Sequence, residues 1–283
     1  MLQLTFWDVQ HGLAAWIRTP AGQDIAIDFG VGSYGDSNAQ FSPLNYLRSK
    51  GITLDVAVVT HPHRDHIDDI ANLVQHRGVV LLRPEHLAER DVYSGNRTAD
   101  QNVLKEYFHV SSHLPNAIRD WPKAFVTDNN GGVDFNFAIP TDTPKTNLNN
   151  HSIVTVVSYA GSKVLIPGDN EPPSWNEILT EKSFLSAIRG TDILVAPHHG
   201  RDSGFSDALF SHISPRLTVI SDGRFCDTSA TGRYGKQTSG WKVHSRSGGD
   251  VTRKCVTTRS DGVVVVKLGK NQSGVPFIDV TIN

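Results

Sequence analysis

The sequence predicts an α/β fold, an αββα sandwich of two mixed β-sheets flanked by helices, as one domain over residues 1–283. Three observations carry that expectation. Strand-like and helix-like segments interleave in both halves of the chain. The continuous apolar runs at 54–60 and 192–196 have the composition of strands covered on both faces. Hydrophobic residues make up 38% and charged residues 20% of the chain, enough for a large core and too little charge for disorder, which excludes fibres, coiled coils and tails.

Taken in order, the runs 2–9, 14–18 and 24–29 read as a β-meander, broken by the turns at His11-Gly12 and Pro20-Ala21-Gly22. A helix over 41–49, stopped by Gly51, then leads to the buried strand 54–60, which is an α/β crossover. Helical patterns follow at 67–76 and about 100–107. Strands are expected at 133–139, 153–159 and 163–166, the last two joined as a hairpin through Ala160-Gly161-Ser162. A helix over 175–188 precedes the strand 192–196, and another over 205–213 precedes the strand 217–221. The Gly-, Ser- and Arg-rich stretch at about 222–250 reads as an irregular basic loop before closing strands at 251–257 and 262–268.

No apolar run approaches the roughly 20 residues of a membrane span. The first eight residues alternate like a strand and lack the basic and apolar regions of a signal peptide, so the expected location is cytoplasmic. With only Cys226 and Cys255, a disulfide framework is not expected. The net charge of −2 is unevenly spread: −8 over 1–215, +6 over 216–259 and zero over 260–283. Arg224, Arg233, Lys236, Lys242, Arg246, Arg253 and Lys254, with Tyr234 and Trp241 as stacking faces, are candidate contacts to a nucleic acid.

Six of the 13 histidines fall at the ends of expected buried strands or in turns beside them. The densest group is Thr60-His61-Pro62-His63-Arg64-Asp65-His66. In extended backbone residues i and i+2 point the same way, and Pro62 biases His61 to extended geometry, so His61 and His63 can face one ion. Asp65 and His66 are then presented from the turn to a second position. His151 lies just before the strand at 153, Pro167-Gly168-Asp169 ends the next strand with a carboxylate able to bridge two ions, and Pro197-His198-His199-Gly200 ends the strand 192–196. Singly, Asp169 or His151 would be a turn residue. Jointly they place donors at strand ends, where open α/β sheets bind their ligands.

The order His61-x-His63-x-Asp65-His66, His151, Asp169 and His198-His199, with Asp28 of Ile25-Ala26-Ile27-Asp28-Phe29-Gly30 ahead of them, resembles the metallo-β-lactamase superfamily. Phe6-Trp7-Asp8-Val9, Asn150-His151-Ser152-Ile153-Val154 and Ala196-Pro197-His198-His199-Gly200 resemble its ComEC/Rec2 competence-type branch, and the expectation is a stand-alone domain without the channel. Two departures stand out. Asp8-Val9-Gln10-His11-Gly12-Leu13-Ala14 lacks the second Asp of that branch, and Asp68-Asp69 replaces its Gly-Gly; both are expected near the site rim.

The resemblance implies that His61, His63 and His151 hold one divalent ion, Zn or Mn, and that Asp65, His66 and one of His198 and His199 hold another, with Asp169 between them. His199 is the preferred ligand and His198 the group facing substrate, with Asp65, His198 and Glu171 as candidate catalytic residues and Asp28 orienting a ligand. The implied activity is metal-dependent hydrolysis, foremost of phosphodiesters in DNA. The alternatives are a small-molecule hydrolase acting on a lactone, thioester or phosphoester, and a noncatalytic metal-binding partner in a defence or toxin-immunity system.

Overall fold

The computed structural model describes residues 1–33, 40–115, 122–223 and 228–283. Arg224 and Cys226, singled out above, lie outside them. Among the described residues, nine strands form one sheet in the order Asp250–Arg253, Trp241–Ser245, Pro276–Ile282, Val264–Lys270, Leu2–Phe6, Ala14–Arg18, Asp24–Phe29, Val56–Val58 and Val80–Leu82. Six form a second sheet in the order Cys255–Thr257, Leu217–Ile220, Ile193–Val195, Ser162–Ile166, Val154–Tyr159 and Asp134–Ala138. Both mix parallel and antiparallel pairs. The strand Leu2–Phe6 lies antiparallel to Val264–Lys270, with Leu2 opposite Leu268 and Phe6 opposite Val264.

The period of two in the strands sets the layering. Leu4, Phe6, Ile25, Ile27, Val56 and Val58 of the first sheet face Val157, Val164, Ile166, Val195 and Val219 of the second in one buried core. Alternate residues point outward. Ala26, Phe29, Ala57 and Val59 pack against Leu44, Leu47, Leu73 and Leu104 of the helices on one side. Val156, Leu165, Leu194 and Ile220 pack against Trp175, Ile178, Phe184 and Leu209 on the other. The αββα sandwich expected from the sequence is the fold found.

Several boundaries differ for local reasons. The helix expected at 175–188 is two helices, Pro172–Ile178 and Lys182–Ile188. Thr180 Oγ1 donates to the Glu177 carbonyl at 2.7 Å and closes the first of them. The helix expected at 67–76 is a short helix Arg64–Ile67 followed by a 3₁₀ segment Ile70–Gln75. The strand expected at 251–257 changes sheet at Lys254: Asp250–Arg253 pairs with Trp241–Ser245, whereas Cys255–Thr257 pairs with Leu217–Ile220.

The described part of 222–250 is not an irregular loop. It holds a helix, Thr231–Gln237, and the strand Trp241–Ser245. Tyr234 is fully buried against Phe205 and Phe210, so it offers no stacking face, and Trp241 Nε1 donates to the Ile278 carbonyl at 3.2 Å. Much of the basic charge is already matched, Arg233 by Asp202, Lys242 by Asp250 and Arg253 by Asp261.

Candidate metal centre

Parallel strands deliver their carboxyl ends to one rim of the sandwich, and the loops that leave those ends carry the polar residues. The first sheet supplies Asp28 and the segment from Thr60 to His66; the second supplies Asp169 and the His198-His199 pair. Ile153 N donates to the Thr60 carbonyl at 2.9 Å and ties the two sides across the rim. Within the second-sheet side, Asp169 N donates to Ser152 Oγ at 3.0 Å and His198 N to the Gly168 carbonyl at 3.2 Å.

Backbone strain is concentrated here. His198 and His199 take consecutive left-handed conformations, φ 49° and 54°, which non-glycine residues rarely adopt and which cluster at functional sites. Gly12, at φ 143°, sits so close to the Asp65 loop that a Cβ would lie 2.4 Å from the Asp65 carbonyl oxygen; glycine there lets the N-terminal loop close over the rim.

At the floor, His66 Nε2 lies 3.2 Å from His199 Nε2 and 3.3 Å from Asp169 Oδ1. His199 Nε2 is 3.3 Å from Asp65 Oδ2 and 3.4 Å from Asp169 Oδ2. His61 Nε2 lies 3.0 Å from His63 Nδ1 and 3.9 Å from Asp169 Oδ2. Asp169 therefore stands between the His61 side and the His199 side. Donor atoms of His61, His66 and Asp169 lie within 4.8 Å of one another, as do those of His11, Asp65 and His199.

Asp28 is buried behind this cluster with φ 59°. Its Oδ1 accepts from Thr60 N and its Oδ2 from Thr60 Oγ1, each at 2.7 Å, and His66 Nδ1 lies 2.7 Å from Oδ2. This contact holds the His66 ring with Nε2 toward the cluster. His199 is held likewise, by Nδ1 donating to the Ser221 carbonyl at 3.0 Å.

Burial opposes charge on Asp65 and Asp169, but the facing imidazoles of His66 and His199 outweigh it and hold both carboxyls below the ordinary range. Burial likewise opposes charge on those imidazoles, yet Asp169 above all pushes them up, His199 to about 9. His61 and His63 are driven down by burial. Ionised carboxylates and neutral imidazoles are the states that bind cations; the protons that Asp169 and Asp65 favour on His66 and His199 occupy the place of a cation and would be released when one binds. Nitrogen and oxygen donors converging in this way fit divalent ions of the Zn or Mn kind.

Above the floor opens a cavity of about 660 Å³ lined in part by His11, His63, Asp65, Asp169, His198 and Arg201. Asp68, one of the two residues replacing Gly-Gly, reaches this cavity. Asp69 does not. It is buried and accepts from Ser42 Oγ, Leu44 N and Asn72 Nδ2 at 2.7–2.8 Å, so that replacement is structural.

Two expected site residues are placed elsewhere. His151 is not among the donors grouped with Asp169: at the end of the 3₁₀ turn Leu148–His151, its Nδ1 lies 2.9 Å from His86 Nε2 and its Nε2 3.4 Å from Thr143 Oγ1. The expectation that it joins His61 and His63 is corrected accordingly. Glu171 does not line the cavity; its Oε1 lies 3.1 Å from His198 Nδ1 and its Oε2 accepts from Asn147 Nδ2 at 2.7 Å. Its carboxylate is engaged with His198 and Asn147. Conversely His11, which the sequence analysis did not select, has its Nε2 3.2 Å from Asp65 Oδ2, and burial, then His199, lowers its pKa to about 4. Its one signal was a His-Gly turn immediately after the first strand.

The family model described as the metallo-beta-lactamase superfamily matches residues 7–214, and the chain belongs to that superfamily, a fold and site of metal-binding hydrolases. Within it, the similar relatives are competence-type proteins. Recombination protein 2 of Haemophilus influenzae is 27% identical over 224 residues, covering 79% of this chain and 24% of that protein. Competence protein ComA of Neisseria gonorrhoeae is 24% identical over 224 residues, covering 78% of this chain and 27% of that one. The chain thus spans about a quarter of the length of these relatives. Among solved structures, Igni18, a metallo hydrolase from Ignicoccus hospitalis, shares the fold with a TM-score of 0.52 at 14% identity, covering 94% of this chain and all of that one.

Proposed function

We propose that the protein is a metal-dependent phosphodiesterase whose substrate is DNA. The observation that carries this is Asp169, whose two carboxylate oxygens face His66 on one side and His199 on the other, with His61 beyond, at the floor of an open cavity. Two divalent ions, when bound, lower the pKa of water and brace the attacking and leaving oxygens of an in-line displacement. His61, His63, Asp65, His66, Asp169 and His199 would hold them. His198 faces the cavity, its ring set by Glu171 and by Ser203 Oγ 2.9 Å from Nδ1, leaving Nε2 to hydrogen-bond the leaving oxygen. The names of the relatives, a recombination protein and a competence protein, support a DNA substrate.

A second reading, hydrolysis of a small ester, lactone or thioester, is favoured by the cavity volume, which falls in the range of small-ligand pockets. Assays of plasmid DNA and bis-p-nitrophenyl phosphate beside lactones and thioesters, with Mn, Zn or Mg, separate the two. Diester cleavage should vanish on chelation, return with metal, and fall by about a thousandfold or more in D169A, the scale of losing a central electrostatic group. Turnover of lactones or thioesters with no diester cleavage would replace the first reading by the second.

A further inference from the structure

Three guanidinium groups line the cavity, and two are already neutralised. Arg64 Nε lies 3.2 Å from Asp68 Oδ1 and its Nη1 3.6 Å from Asp100 Oδ1. Arg97 Nε lies 2.9 Å from Asp100 Oδ2. Arg201 differs. Among the described residues no carboxylate lies within ion-pair distance of it, and its Nε is shut off from solvent without a hydrogen-bond partner. Its Nη2 approaches His11 Nε2 at 3.3 Å. Arg201 thus lines the cavity as a cation with no carboxylate to neutralise it, the state in which a guanidinium takes an anionic acceptor.

The backbone holds this side chain in place. Arg201 N donates to the His198 carbonyl at 3.0 Å, Gly204 N donates to the Arg201 carbonyl at 3.1 Å, and Arg201 bridges to Ser229. The guanidinium is therefore rooted two residues past the left-handed histidine pair and reaches the wall of the cavity whose floor holds Asp65 and Asp169. A planar fork of donors matches a phosphoryl group, whose non-bridging oxygens accept in parallel, better than a neutral carbonyl.

We propose that Arg201 is the anion anchor of the site, holding a non-bridging oxygen of a phosphoryl group beside the metal centre. It determines specificity for phosphoesters over neutral esters. This rests on the phosphodiesterase reading and moves the phosphate contact from the basic segment 216–259, none of whose described residues lines the cavity, to the cavity wall.

The test is calorimetric titration of inorganic phosphate into metal-loaded wild type, R201Q, R201K and R97Q, with metal content measured by elemental analysis. R201Q should bind phosphate about tenfold or more weakly, the loss of a charge-assisted hydrogen bond. R201K should recover only part of that, since lysine keeps the charge without the fork. R97Q should stay within about twofold of wild type because Asp100 already takes its charge. Equal affinity in R201Q overturns the proposal, as does a weakening accompanied by loss of metal, since Arg201 would then act through the ligands. Arg201-dependent phosphate binding in a protein that cleaves no diester keeps the anchor and removes the phosphodiesterase reading.

Discussion

Asp28 gives one carboxylate to three donors, two of them on Thr60 and one on His66. In D28N the amide retains one acceptor, so the His66 ring loses its hold while the fold keeps the same volume. Metal affinity measured by competition with a chelator should fall about ten- to hundredfold, as for other residues that orient a metal-binding histidine. H151Q should bind as many ions as wild type. That contrast marks what was legible at this scale. His61, His63, Asp65 and His66 could be read because four donors share one turn and their relative directions follow from extended backbone. His151 could not, because its ring meets His86, which lies far away in sequence, as well as the nearby Thr143. His11 was hidden for the converse reason: nothing adjacent shows that Asp65 lies opposite it.

Among the elements, Asp69 ties the helix Pro43–Ser49 to the loop after the histidine turn. Both of its oxygens accept from Ser42 Oγ, which also caps that helix by accepting from Asn45 N at 3.1 Å. D69A strips Leu44 N of its acceptor in a buried setting. Unfolding in urea should show a loss of about 2–3 kcal/mol, with diester cleavage per folded molecule retained. Strands with continuous apolar runs were legible because burial on both faces leaves them no polar positions. The helix Thr231–Gln237 was not, since Tyr234 is its one buried side chain and two glycines dilute its pattern. The sheet change at Lys254 was invisible, because β-patterning shows that a segment is extended and says nothing of which neighbour it pairs with.

Across the whole molecule, the candidate ligands divide between the sheets, His61 to His66 following a strand of the first and Asp169 and His199 following strands of the second. Ions held there would join the two layers and bind the native state alone. Adding Mn or Zn to chelator-treated protein should raise the melting temperature by several degrees, and H66A should abolish most of the rise. A melting curve indifferent to metal would contradict the shared centre. The sandwich itself could be foreseen from alternation, since two-faced strands and outer helices admit few layer arrangements; the crossing of the rim could not, because it depends on hydrogen bonds such as Ile153 N to the Thr60 carbonyl.

Leu2–Phe6 pairs on one edge with the neighbouring Ala14–Arg18 and on the other with the distant Val264–Lys270. The first pairing is a local hairpin and closes quickly, whereas the second must close a very long loop, so one edge of this strand is left to a late step of folding. Until then its hydrogen-bonding edge is open to pairing with another chain, which makes the closure of Val264–Lys270 the step that protects this sheet from misassembly.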